Sequence, residues 1–572
     1  MERRVPEPAP GSAGQERLIV AATHESVSVY VTVVWAAYLF LLPVHRVWSL
    51  PWFGTKLQPP ELVLLALAAA AAVQWWCGRV VWRPAAGDAA AGAWLVANLI
   101  AVLTLDAHLR FTDARALTEA LGAVSLVGLY VAVRVTATSG LLERAGEWIG
   151  LAAAVAAALG LVGVALAWCG VPTRLATIVM TLVPYVENAP RAQAFTAGPQ
   201  MLASILLLAG PLFVGNRLSR GWRRRDTGVI LLIALGLVAT LSKSVLGAVA
   251  AAAVMWASGR SSVADGRRGG DRRRAWLAGG VCAVVVVVFT AGSHLMLVRS
   301  SDVERWRLGQ VVAGQPFAAF GWFGDTWLVM PTTYLYNKQA SLRAIEAAWP
   351  VGIGPGQQPA FTARLQRDGV IPGSLWMTTP HSTYLGTVAE FGAAGLAALV
   401  LLLLAGSLGI RRLRRSASVP RWEAAAYAGA GVAFLIEAIA TDLLNCRHYW
   451  WFFAIIAARQ VSRSRLQAPG GVRVPGGGQC RRPQHDRAEG NRQVADADGG
   501  ARRRASPEAG RRRSVTAASS SKNRWLGVST ERDRFVNWTG QTALLSLQHL
   551  PRDAVHAPHE RPRNSDRRRQ HH

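Results

Sequence analysis

The side chains best equipped for chemistry sit where polar sequence meets apolar sequence. In "PHSTYLGTVAEFGAAGLAALVLLLL" (Pro380 to Leu404) a histidine, His381, stands at the mouth of a long apolar run. An imidazole titrates near neutral pH, so His381 can act as a base held at a membrane surface. A histidine at such an entrance is more often plain interfacial polarity. On a helix through this stretch Tyr384 shares its face at i+3, whereas Glu390 at i+9 faces nearly opposite and ~13 Å deeper. Glu390 is then a carboxylate inside an apolar helix, an anchor rather than the partner of the imidazole. Fixed cations tilt the reading toward chemistry: Arg191 in "PRAQAFTAGPQ", Lys243 in "LSKS" and Arg343 in "SLRAIEAAWPVGIGPG". Arg305 and Tyr384 are further candidates for contact with a substrate. Arginine suits phosphate because its planar fork donates two parallel hydrogen bonds. A titratable base beside such cations suggests transfer chemistry on a lipid-linked phosphate or diphosphate.

The elements that must position these residues are membrane helices. The chain has 572 residues, is 51% hydrophobic and carries a formal charge of +28. A soluble chain so basic would hold fewer apolar residues; the two facts agree when apolar residues gather into spans and arginines into loops. "ELVLLALAAAAAVQWW" and "AWLAGGVCAVVVVVFTAG" are long enough, at ~1.5 Å per residue, to cross most of a ~30 Å hydrocarbon core. Similar stretches lie near 26–44, 89–106, 116–134, 147–169, 198–216, 227–241, 243–258, 391–409, 423–441 and 448–463. The expected fold is therefore all-α and polytopic, with about twelve transmembrane helices over 26–463 after a cytoplasmic segment 1–25. The stretch 227–258 reads either as a tight hairpin of two short spans or as a re-entrant bend. Three basic runs, Arg217 to Arg225, Arg260 to Arg274 and Arg411 to Arg421, all fall on the cytoplasmic side of such a chain. They are short and abut spans, which argues against a nucleic-acid partner. No apolar leader precedes the first span, so no cleavable signal peptide is expected.

Three segments then face outward: 170–197, the hairpin at Ser242–Lys243–Ser244, and the large loop 294–380. A loop of that length in a compact membrane protein usually carries function. Its "GIGPG" imitates part of a dinucleotide fingerprint but lacks the strand–helix setting, and reads as a turn. From 464 to 572 the chain holds 22 Lys and Arg against 10 Asp and Glu and no apolar periodicity. Such a tail cannot bury enough surface to offset its ordering entropy, so it reads as a disordered, basic, cytoplasmic tail. It is either a surface for anionic lipid headgroups or an unselected extension. Cys77, Cys169, Cys282, Cys446 and Cys480 are scattered and odd in number, implying neither a disulfide framework nor a metal site.

Four motifs in order resemble the O-antigen ligase and polymerase superfamily. "PHSTYLGTVAEFGAAGLAALVLL" resembles its histidine motif, and "RAQAFTAGPQMLASILLLAGPL" its arginine motif entering a span. "LSKSVLGAVAAAAV" resembles its Ser-Arg-Ser hairpin, and "RAIEAAWPVGIGPGQ" its arginine motif before a Gly-Pro-Gly turn. The resemblance covers about residues 30–460. Lys243 replaces the usual hairpin arginine, and "AGPQ" replaces an Asn-Pro-Asn-like sequence; both bear on substrate identity more than on reaction class. The resemblance implies a glycosyltransferase of the inner (plasma) membrane that needs no metal or other cofactor. Its donor would be a polyprenyl-diphosphate-linked glycan, and its acceptor a hydroxyl of a glycolipid, glycan or protein. It further implies that His381 deprotonates the acceptor on the extracytoplasmic face while Arg191, Arg343 and Lys243 hold the diphosphate. Ligation, repeat-unit polymerisation and transfer to protein share this architecture. A secondary transporter, with Glu119, Glu390, Glu437 and Asp442 on its path, should show paired halves with matching broken helices, and the sequence shows neither.

Overall fold

The computed structural model describes residues 29–45, 58–78, 82–105, 114–178, 189–260, 268–308, 311–373 and 380–466. The N-terminal segment 1–25 and the tail from 467 onward lie outside these residues, as do 179–188 and 374–379. A helix occupies each of the twelve apolar stretches. The first is α1 (Val29–Leu41). In chain order there follow α2 (Pro59–Trp76), α3 (Ala86–Thr104), α4 (Ala114–Thr136), α5 (Ser139–Trp168), α6 (Pro199–Arg220), α7 (Arg224–Ala239), α8 (Ser244–Gly259) and α9 (Arg268–His294). After an external layer come α13 (Thr383–Arg414), α14 (Arg421–Glu437) and α15 (Arg447–Leu466). Among the described residues, α2 to α6, α9 and α13 are long and apolar enough to cross a membrane. The chain is a helical membrane protein.

The other five fall short for identifiable reasons. α1 and α8 are apolar but short, and α7 and α14 have 16 and 17 residues. α15 is rich in buried aromatics, Tyr449 to Phe453, but also carries arginines. Two of them are paired inside the bundle: Arg447 with Glu61 and Arg459 with Glu423. Local signals set the helix starts. Glu61, Asp88 and Asp226 each accept the backbone N–H three residues before them at 2.8–2.9 Å, closing the first turns of α2, α3 and α7. Alanine governs the packing, as in α14, where Ala424, Ala425, Ala426, Ala430 and Ala433 are all buried. Small side chains let helix backbones approach closely where lipid offers no hydrophobic drive. In the stretch 227–258, α7 and α8 are joined by the short turn Thr240 to Lys243.

The described residues of the long segment 294–380 form a folded layer rather than an open loop. β3 (Leu295–Arg299) continues α9 without a linker. Past α10 (Val303–Leu308), β4 (Ala318–Trp322) and β5 (Asp325–Pro331) form a hairpin, and the antiparallel sheet runs β3–β5–β4. α11 (Thr333–Ala348) and α12 (Gln358–Arg367) complete the layer. Strand alternation explains its packing: Met296, Val298 and Met330 point inward onto Val303, Trp306 and Val312. Earlier in the chain, β1 (Ala176–Ile178) pairs with β2 (Pro190–Ala192), setting Thr177 opposite Arg191.

One helix departs from the sequence expectation of unbroken spans. α13 is interrupted at Gly392, whose φ of 59° and ψ of −142° are not helical. The turn after α11 docks into the break through its main chain. Ile353 N–H donates to the Ala389 carbonyl at 2.9 Å, Gly354 N–H to Glu390 at 3.0 Å, and Ala393 N–H to Pro350 at 2.7 Å. A side chain at Gly352 would collide with Glu390 O at 2.6 Å, and one at Gly392 with Pro350 O. "GIGPG" is thus a turn whose backbone splices a membrane helix.

Candidate active site at the helix ends

α6, α7, α8, α9 and α13 carry the basic runs at one end; Arg191, Lys243, His294 and His381 lie at the other. His381 precedes α13 rather than riding on it. Ser382 is the N-cap, its hydroxyl accepting Leu385 N–H at 3.4 Å, so the helical face expected to join His381 to Tyr384 does not exist. His381 instead adopts a φ of 47°, in the left-handed region that a non-glycine residue rarely enters. Thr383 holds that geometry. Its N–H donates to the carbonyls of Ala438 and Thr441, its hydroxyl donates to Thr441 O at 2.8 Å, and its Oγ1 accepts Leu443 N–H at 2.9 Å. Strained backbone that its surroundings over-determine marks functional positions.

Tyr334, near the start of α11, is the centre of the cluster. Its ring meets the His381 ring edge-on at 4.8 Å, the Lys243 ammonium lies 5.3 Å from its centroid, and Gln200 donates to its hydroxyl at 2.9 Å. Lys338 follows Tyr334 by four residues and shares its face of α11. Burial pushes both lysines down to about 8; for Lys243 the Lys338 and Arg191 charges push further the same way. Burial also lowers Arg191. For His381 burial is the larger cause and the Lys338 charge the second, and together they push the imidazole down to about 4. The ring is neutral at physiological pH. Positive charge that lowers Lys243 and His381 is thus gathered around a neutral base, a setting that favours an anion.

Arg191 comes to this cluster in a way the sequence does not announce. Its Nε donates to the Thr240 carbonyl at 2.8 Å, and one Nη reaches Leu241 O at 3.4 Å. Part of its fork thus pins the turn that presents Lys243. Behind that turn runs a buried polar chain. Ser242 and Ser244 hydroxyls meet at 2.9 Å, Ser244 donates to Glu437 Oε1 at 3.0 Å, and Tyr449 donates to Glu437 Oε2 at 3.0 Å. The His448 ring and the Ser204 hydroxyl, 2.8 Å apart, continue it.

Other expected site residues lie elsewhere. Arg343 forms an i,i+3 ion pair with Glu346 at 2.7 Å and is 55% exposed. It is nine residues past Tyr334, and at ~100° per residue that places it on the opposite face of α11. The Tyr384 hydroxyl donates to the Leu435 carbonyl at 2.8 Å, tying α13 to α14. Arg305 sits on α10, exposed and on a different element from the cluster. Glu390 lies at the break of α13, where its carbonyl holds Gly354. Tyr334, Lys338 and Gln200 are the residues the sequence reading misses. The signal for them is slight, an aromatic and a lysine spaced i,i+4 on a short polar helix. A groove of about 660 Å³ lined by Phe317, Tyr336, Gln366 and Ile371 lies in the outer layer, apart from these cations. Among the described residues no group of three or more His, Cys, Asp or Glu is placed to hold a metal ion. No family model matches the chain, and no curated protein matches it.

Proposed function

We propose that this protein is a glycosyltransferase of surface-polysaccharide assembly, resembling the O-antigen ligases. It moves a glycan from a polyprenyl-diphosphate carrier to an acceptor hydroxyl on the extracytoplasmic face of the plasma membrane. In this reading all twelve helices cross the bilayer and both chain ends lie in the cytoplasm. The observation that carries it is the grouping of Arg191, Lys243 and Lys338 with neutral His381 around Tyr334, at the helix ends away from the basic runs. Three cations suit a diphosphate, and a neutral imidazole suits an acceptor hydroxyl.

The chemistry balances with these groups alone. His381 takes the proton of the acceptor hydroxyl, whose oxygen bonds to the sugar carbon as that carbon's bond to the diphosphate oxygen breaks. The diphosphate leaves with the electron pair, and the cations hold the charge that develops on it. Donor binding also prepares the base. A diphosphate beside Lys338 offsets the charge that helps depress His381, so the imidazole gains basicity when substrate is present.

The test is glycan transfer by purified protein in vesicles. His381→Ala should lower transfer by ~10²–10⁴-fold while donor binding persists, because the base acts on the acceptor. Arg191→Lys should lose transfer as well, because a point charge replaces neither the fork nor both ties to the turn. Near-normal transfer by a well-folded His381→Ala variant returns the histidine to interfacial polarity. Polymerisation and transfer to protein would use the same site; accumulated single repeat units in a deletion strain indicate a polymerase, and accumulated lipid-linked polymer a ligase.

A further inference from the structure

We infer that the open face of the β3–β5–β4 sheet rests in the headgroup–acyl boundary of the bilayer, as a lipid-docking surface. Register and alternation define that face. Leu295, Leu297 and Arg299 on β3 stand opposite Pro331, Val329 and Trp327 on β5, with Ala318, Phe320 and Trp322 on β4 completing the rows. The other face is covered by α10 and by Val311 and Val312 after it. On this face Trp327 and Pro331 are buried, while Leu295, Leu297, Phe320 and Trp322 remain 39–50% exposed.

The hairpin tip is the most telling part. Phe323 and Gly324 take φ values of 51° and 79°, the left-handed pair of a tight two-residue turn. Such a turn favours Asn or Asp at its first position, yet here it holds a phenylalanine that is 85% exposed. The turn is well braced. Trp322 packs on Phe323 at 4.9 Å, Trp327 donates to the Trp322 carbonyl at 3.1 Å, and Arg299 lies over Trp327 and pairs with Asp325 at 3.6 Å. A rigid, aromatic, exposed tip with a cation at its rim has the composition of a membrane-interface belt.

Continuity identifies the occupant. α9 is the least covered of the seven long apolar helices, with 17% of its apolar window buried. Its exposed Val284, Val287 and Val288 lead without a linker into exposed Leu295 and Leu297. The surface that meets lipid along the span therefore runs on into the sheet. Docking also has a consequence for the cation cluster. Thr332 joins β5 to the end of α9, its N–H donating to the His294 carbonyl at 2.8 Å and its hydroxyl to Ser293 O at 2.6 Å. α11 starts at the next residue, so the depth of the sheet fixes the height of Tyr334 and Lys338 above the membrane.

A photo-reactive benzophenone amino acid placed at position 323 of the full chain tests this. The protein is reconstituted in phosphatidylethanolamine–phosphatidylglycerol vesicles and irradiated, with position 364 on α12, 72% exposed as arginine, as the control. The expected result is a phospholipid adduct at 323 and none at 364, read by mass. No adduct at 323 overturns the inference, and so does a cross-linked dimer through 323, which assigns the face to a second copy of the chain.

Discussion

At the residue scale, the two lysines set a pH limit on anion binding. Each is lowered from 10.5 to about 8, chiefly by burial, so each loses its proton as pH rises through about 8 when the site is empty. A bound anion favours the charged forms and moves that point upward, which opens a window above about 8. Pyrophosphate affinity, measured by calorimetry on detergent-solubilised protein, should fall as pH rises through that window. Lys338→Arg should hold its affinity further into the alkaline range, because a guanidinium keeps its charge there. Affinity that stays constant throughout would remove the lysines from the anion site. The same residues show where sequence reading stops. His381, Arg191 and Lys243 stand out because each is polar beside an apolar run. Lys338 and Tyr334 do not, because the short helix that carries them has no membrane contrast to mark it, and its arginine at 343 draws attention to the wrong face.

At the scale of elements, the splice in α13 is the most sensitive joint. Gly392→Ala adds a Cβ onto Pro350 O at a backbone angle that disfavours any side chain. It should destabilise the protein by at least ~1–3 kcal/mol. Gly279→Ala, on α9 with open space around it, should cost nothing or stabilise by up to ~1 kcal/mol. Thermal melts of the two variants in detergent make the comparison, and equal melting temperatures would refute it. The helices themselves were legible because continuous apolar residues leave few alternatives. The break was not, since Gly392 in "EFGAAG" looks like any small residue of a packed span. Only the turn that fills it, forty residues upstream, gives it meaning. The folded outer layer was hidden for a related reason: short strands and polar helices carry weak periodic signals.

At the scale of the whole molecule, charge separates the two ends. The runs Arg217 to Arg225 and Arg411 to Arg421 lie at helix ends opposite those that bear Lys243 and His381. The proposed topology follows the positive-inside rule, with the basic end in the cytoplasm and the cation cluster on the other side. A reporter fused after Arg415 should therefore read cytoplasm, and one inserted at Gln339 should read the outer side. Both reading the same side would dissolve the proposed placement. In that topology the cluster's cations run against the bias, and the proposed anionic substrate would account for them.

The joint at Gly392 is made of main-chain hydrogen bonds in which Ile353 and Gly354 donate to Ala389 and Glu390, and Ala393 donates to Pro350. Those bonds run between backbone atoms and use no side chain. Selection on such a joint acts on spacing, on the number of residues between Lys338 and His381, and on two glycines. Other positions are free to drift, so distant copies of this site would keep its lengths long after losing its letters.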